Sequence, residues 1–219
     1  MTKRLFKSES KFLEKARTGI TNAETNDAIK AALADYNMGD EQVAVGRGIY
    51  NATQKIWDAN IKEDAESTEA SLAYSMTYKE LQAIFKEHRD KALIFFKRHP
   101  EILVKLGVKG EFPRKYNDFF DKVRLFYTTI KNDQSIQAEM DKIKLTTEVV
   151  VECLTLLEEL LAKRSYFDKE LAESQDMTKN KNAALLALKE WMDDFYAVAK
   201  VALYDQPQLL EALGVFVRS

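Results

Sequence analysis

A chain of 219 residues with only 7 Gly and 3 Pro holds too few turn formers for an all-β fold, and its stock of Ala, Leu, Lys and Glu favours helix. Its 33 Lys and Arg balance 35 Asp and Glu, for a net charge of −2. That balance argues against a bulk nucleic-acid coat, because neutralising phosphates needs concentrated positive charge. One cysteine, Cys153, excludes an intrachain disulfide, and no run approaches the ~18 apolar residues of a membrane span.

The predicted elements follow in chain order. The opening MTKRLFKSESKFLEK has no apolar stretch after its basic start, so it reads as the beginning of a cytoplasmic protein and not as a signal peptide. A first helix is expected over 8–36, broken near Asn26-Asp27, a pair suited to cap a restarted helix. A second is expected over 41–68 with Asp40 as N-cap, and a third over 71–98 with Ser71 as N-cap. The third carries an inward stripe of Tyr78, Leu81, Phe85, His88, Ala92 and Phe95, spaced alternately three and four. His99 precedes Pro100 and is pushed out of the helical region, so the third helix must stop there. Pro100 then opens a short helix that Gly107 closes, with Ile102, Leu103 and Leu106 on one face, as a lid over the helices.

This order then recurs. "HPEILVKLGV" near residue 100 returns as "QPQLLEALGV", and Pro207 follows Pro100 by 107 residues. At that offset KEDAES (Lys62 to Ser67) falls on KELAES (Lys169 to Ser174), Phe12 on Phe119, Arg17 on Arg124 and Leu106 on Leu213. Helices are therefore expected over 115–143 with a break near Asn132-Asp133, over 148–175 with Thr147 as N-cap, and over 178–205 with Thr178 as N-cap. A second lid is expected from Pro207 to Gly214. The expectation is an all-α protein built as a tandem duplication, residues 1–110 and 111–219, each copy three long helices and a capping helix, packed as an elongated bundle.

Trp-Met-Asp-Asp-Phe (Trp191 to Phe195), followed by AKVALYDQPQLLEALG (Ala199 to Gly214), resembles the C-terminal signature of a family of duplicated, all-helical bacterial proteins. That family has a Pro-x-Leu-Leu-x-x-Leu-Gly stretch in each half. GDEQVAVGRGIYNATQ (Gly39 to Gln54) is similar to its second-helix opening, whereas TTEVVVECLTLLEELL (Thr146 to Leu161) departs from it. The resemblance implies the fold class and a bacterial source, and no activity, cofactor or binding residue.

Candidate chemistry is sparse. His88 occupies a seam position and His99 caps a lid, so both read as structural. Neither belongs to a Glu-x-x-His or His-x-x-x-His motif, which excludes the usual di-iron and zinc spacings. Cys153 lies among Val150, Val151, Leu154 and Leu157, where a thiolate is disfavoured. Gly46-Arg47-Gly48 falls within a helix with no preceding strand, so it reads as packing against a bulky neighbour and not as a phosphate loop. Glu63 with Glu66, and Glu170 with Glu173, are acidic pairs at spacing three; were the copies to meet there, four carboxylates would suit a hard divalent cation. The plainer reading is a solvated helix end beside Lys62 and Lys169.

The stretch 97–124 is basic, carrying Lys97, Arg98, Lys105, Lys109, Arg114, Lys115, Lys122 and Arg124, and Asp133 to Asp176 is acidic. The basic stretch suggests a weak nucleic-acid binder or, more simply, charge that helps the halves dock. With no nucleophile, acid–base pair or oxyanion element, the chain reads as a non-enzymatic structural or protein-interaction protein with no cofactor, acting on a protein partner or on itself. The alternatives are a metal- or small-ligand-binding bundle and a nucleic-acid binder. A site used by only one copy is expected where the two copies differ.

Overall fold

The computed structural model describes residues 8–215. The basic start over 1–7, on which part of the N-terminal reading rests, and the last four residues lie outside it. Among the described residues the chain is all-helical: α1 (Glu9–Thr25), α2 (Asp27–Ala34), α3 (Asp40–Phe95), α4 (Pro100–Lys105), α5 (Tyr116–Asn132), α6 (Gln134–Asp141), α7 (Thr147–Ala202) and α8 (Pro207–Ala212). The bounds of α5 to α8 repeat those of α1 to α4 at the offset of 107.

The expected breaks near 26 and 133 are present. Asn26 Oδ1 accepts from the backbone N–H groups of Ala28 and Ile29 at 3.1 and 3.2 Å. Asp133 Oδ1 does the same for Ser135 and Ile136 at 3.1 and 3.2 Å. These amides open α2 and α6 and lack intrahelical partners.

The expected break between second and third helices is absent. α3 and α7 each run unbroken for 56 residues. Ser71 and Thr178 are interior residues, not caps. Neither Glu66–Ser71 nor Glu173–Thr178 contains Gly or Pro, and Ser or Thr alone lowers helix propensity too little to end a helix. Asp40 and Thr147 are likewise first helical residues and not caps; Thr146 Oγ1 accepts from Val149 N–H at 3.5 Å.

That continuity changes the spatial division. The compact units are not 1–110 and 111–219. Unit 1 joins the chain up to Ala65 with Ala172 onward, and unit 2 is Glu66–Leu171. Each long helix starts in one unit and delivers its second half, with the lid that follows, to the other.

Unit 1 buries Leu13 and Ile20 of α1, Ile29 and Leu33 of α2, Val43 and Tyr50 of α3, and Leu185, Leu188, Met192 and Phe195 of α7, with Leu210 and Leu213 at the lid. Unit 2 buries Leu81, Phe85 and Phe96, Leu106 and Val108 at its lid, Phe119, Phe126, Tyr127 and Ile130 of α5, and Val150, Cys153 and Leu157 of α7. The stripe of the third helix ends one residue later than expected: Phe96 is 2% exposed where Phe95 is 40%.

Candidate functional site

The lids are built from the same local chemistry twice. His99 (φ −125°, ψ 67°) and Gln206 (φ −130°, ψ 64°) leave the helical region before their prolines. Gly107 (φ 67°) and Gly214 (φ 80°) adopt the left-handed conformation. There the Val108 N–H donates to Leu103 O at 3.2 Å, and the Val215 N–H to Leu210 O at 3.1 Å. These bonds close the short helices in the six-to-one pattern that glycine permits. In unit 1 the lid is tied to α1 and α7: Asn22 Nδ2 donates to Ala212 O at 2.6 Å, and the Tyr196 hydroxyl donates to Leu213 O at 3.3 Å. In unit 2 Thr129 donates to Lys105 O at 3.4 Å, and Lys105 Nζ stands 3.6 Å from Asp133.

The inner faces close the cores, with Leu106 and Leu213 fully buried. The outer faces are apolar as well. On unit 2 Ile94 is 78% and Val104 59% exposed; on unit 1 Tyr204 is 81% and Val201 58% exposed. Their charges are opposite. Around α4 the exposed Lys97, Arg98, Lys105 and Lys109 outnumber Glu101 and Glu111, whereas from Val201 to Val215 the charged residues are Asp205 and Glu211. Arg98 and Asp205 occupy the same lid position, 107 residues apart.

The carboxylates expected as cation ligands divide between the units. Glu63 and Glu173 are half-buried and exposed in unit 1. In unit 2 an oxygen of Glu66 lies within 4.8 Å of one of Glu170, whose side chain is buried, and Lys169 Nζ is 3.1 Å from Glu170 Oε1. That ammonium offsets one of the negative charges a divalent ion would need.

The basic stretch is interrupted in space. Arg124 pairs with Asp121 at 3.4 Å, Lys105 with Asp133, and Asp118 and Asp121 line the same surface hollow as Arg114, Lys115 and Lys122. Gly46 has the bulky neighbour expected for it, since an added Cβ would meet the Trp191 ring; Gly48 has nothing within 4 Å.

No family model, curated protein or solved structure matches the chain.

His88 and Cys153, read from the sequence as separate core residues, meet in unit 2 through a residue not singled out there. His88 Nδ1 is 2.9 Å from the Tyr127 hydroxyl, and the Cys153 thiol lies against the same hydroxyl. Burial lowers the His88 pKa, with Lys91 adding to it and Glu87 opposing, so the imidazole is held neutral. Burial raises the thiol of Cys153 and pushes Tyr127 far above the usual phenol range. The Tyr127 hydroxyl therefore links the imidazole to the thiol, and its hydrogen bond with Cys153 lowers the thiol's pKa and raises its own, as when the hydroxyl donates to sulfur. The signal for Tyr127 was in the repeat: the offset sets Tyr127, Cys153 and His88 against Ile20, Gly46 and Phe195.

Proposed function

We propose that this is a non-enzymatic helical interaction protein, cytoplasmic and bacterial, that arose by tandem duplication and associates with further copies of itself through its lids. The acidic lid of unit 1 in one copy meets the basic lid of unit 2 in the next. Opposite charge on two otherwise equivalent apolar faces carries this reading. Like lids would oppose like charges, so the contact is heterologous and each copy offers one face of each kind. Two short lids bury less than the ~800 Å² per partner of a standard stable interface, so the association is weak and salt-sensitive.

Sedimentation velocity over a concentration series tests it. Self-association is expected at low ionic strength, reduced by salt, by Tyr204→Ala and by either Arg98→Asp or Asp205→Arg alone. The double exchange Arg98→Asp, Asp205→Arg restores opposite charges and should recover it. A monomer at every concentration in low salt sinks the proposal.

A further inference from the structure

The two units provide an internal comparison, because positions 107 residues apart occupy equivalent places. In unit 1 the space between the first part of α3 and the last part of α7 is filled by Trp191. Its ring lies where a Cβ on Gly46 would be and stacks on Phe195, with centroids 5.2 Å apart at 13°. In unit 2 the corresponding residues are Ile84, Cys153 and His88. The smaller Ile84 leaves a cavity of about 350 Å³ between α3 and α7.

That cavity has an ordered chemistry. Ile84, Val149 and Leu156 form apolar walls, with His88 and Cys153 among the lining residues. Glu80 and Glu152 line it too and are exposed; the equivalent residues in unit 1 are Ala187 and Val45. Among the described residues no ion pair engages either carboxylate. His88 is 8% exposed and its Nδ1 is taken by Tyr127. Its Nε2 has no protein partner among the described residues. That nitrogen is not closed off by protein, so a ligand in the cavity can meet it. Polar groups at the four positions that are Phe195, Ile20, Ala187 and Val45 in unit 1 serve no need of the fold, since unit 1 packs without them.

We propose that this cavity binds a small organic amine. Its ammonium sits between Glu80 and Glu152, its apolar body lies along Ile84, Val149 and Leu156, and a hydroxyl at its inner end forms a hydrogen bond with Nε2 of His88. Two carboxylates at the rim and a neutral imidazole select a cation over an anion of the same shape.

Tyramine has these three parts, and 4-ethylphenol keeps all but the ammonium. NMR titration of the full chain, with the His88 ring signals as reporter, should show saturable tyramine binding. 4-Ethylphenol should bind about tenfold more weakly, in keeping with a charge pair at a partly screened rim. Ile84→Trp with Cys153→Gly copies the filling of unit 1 and should abolish binding. Glu80→Gln with Glu152→Gln changes only exposed side chains, so it tests the same point without touching the core, and should weaken tyramine about tenfold. Absence of saturable binding at millimolar tyramine overturns the proposal. So does equal binding of the two probes, or binding unchanged in the glutamine variant.

Discussion

Gly46→Ala puts the packing of unit 1 to a direct test. Glycine inside a helix costs roughly 0.5–1 kcal/mol relative to alanine, so an unopposed replacement stabilises. At Gly46 it is opposed. The new Cβ would fall inside the Trp191 indole, with Cε2 at 2.6 Å, and the ring cannot retreat readily because it stacks on Phe195. Overpacking of this kind costs about 1–3 kcal/mol. Set against the helix gain, the net loss should be about 1–2 kcal/mol. Gly48, two residues on, is exposed with nothing within 4 Å, so Gly48→Ala should gain about 0.5–1 kcal/mol. Both tryptophans, Trp57 and Trp191, lie in unit 1, so their fluorescence during urea denaturation reports that unit specifically. Trp191→Ile removes the obstacle and imitates unit 2, and in that background Gly46→Ala should cease to destabilise. If Gly46→Ala stabilises unit 1 as much as Gly48→Ala does, the account of the filled groove is wrong, and with it the comparison that singles out the cavity in unit 2.

Leu210→Ala should cost about 2–5 kcal/mol, because Leu210 is 7% exposed beneath its lid, while Leu103→Ala should cost less than half as much because Leu103 is only half-buried; chemical denaturation of each variant checks the order. Lys144 holds a left-handed conformation (φ 64°) at the end of α6 with an exposed side chain, so Lys144→Gly should raise stability by about 1 kcal/mol, read as a higher melting temperature. The His88 pKa lies below its ordinary 6.5, so the unfolded chain binds a proton there before the folded one does. Stability should therefore fall as pH drops below 6.5, and the fall should be shallower in His88→Phe; parallel pH profiles would refute the buried neutral imidazole. The groups facing that imidazole are Tyr127 and Cys153, with Lys91 and Glu87 nearby.

Much of the fold was legible because it rests on local rules. A proline that excludes its predecessor from the helix, a glycine at positive φ, and Asn or Asp accepting from the first free amides act within a few residues. They placed α1, α2, α4, α5, α6 and α8 before any packing was considered. The repeat, too, was visible in the sequence alone. The joining of 40–95 and 147–202 into unbroken helices was not, because Ser71 and Thr178 satisfy the requirements of a cap equally well as interior residues. With no Gly or Pro in Glu66–Ser71 or Glu173–Thr178 to stop it, each helix continues through. From that one choice follow the exchange of second halves and lids between units, and cores that each draw on both 1–110 and 111–219. The cavity depends on it as well. His88, Tyr127 and Cys153 come from α3, α5 and α7, and no spacing rule links residues brought together by packing across three helices. What the sequence did hold was the contrast between the copies, Tyr127 against Ile20, Cys153 against Gly46 and His88 against Phe195. It took the placement of Trp191 over Gly46 to turn that contrast into a filled groove in one unit and an open one in the other.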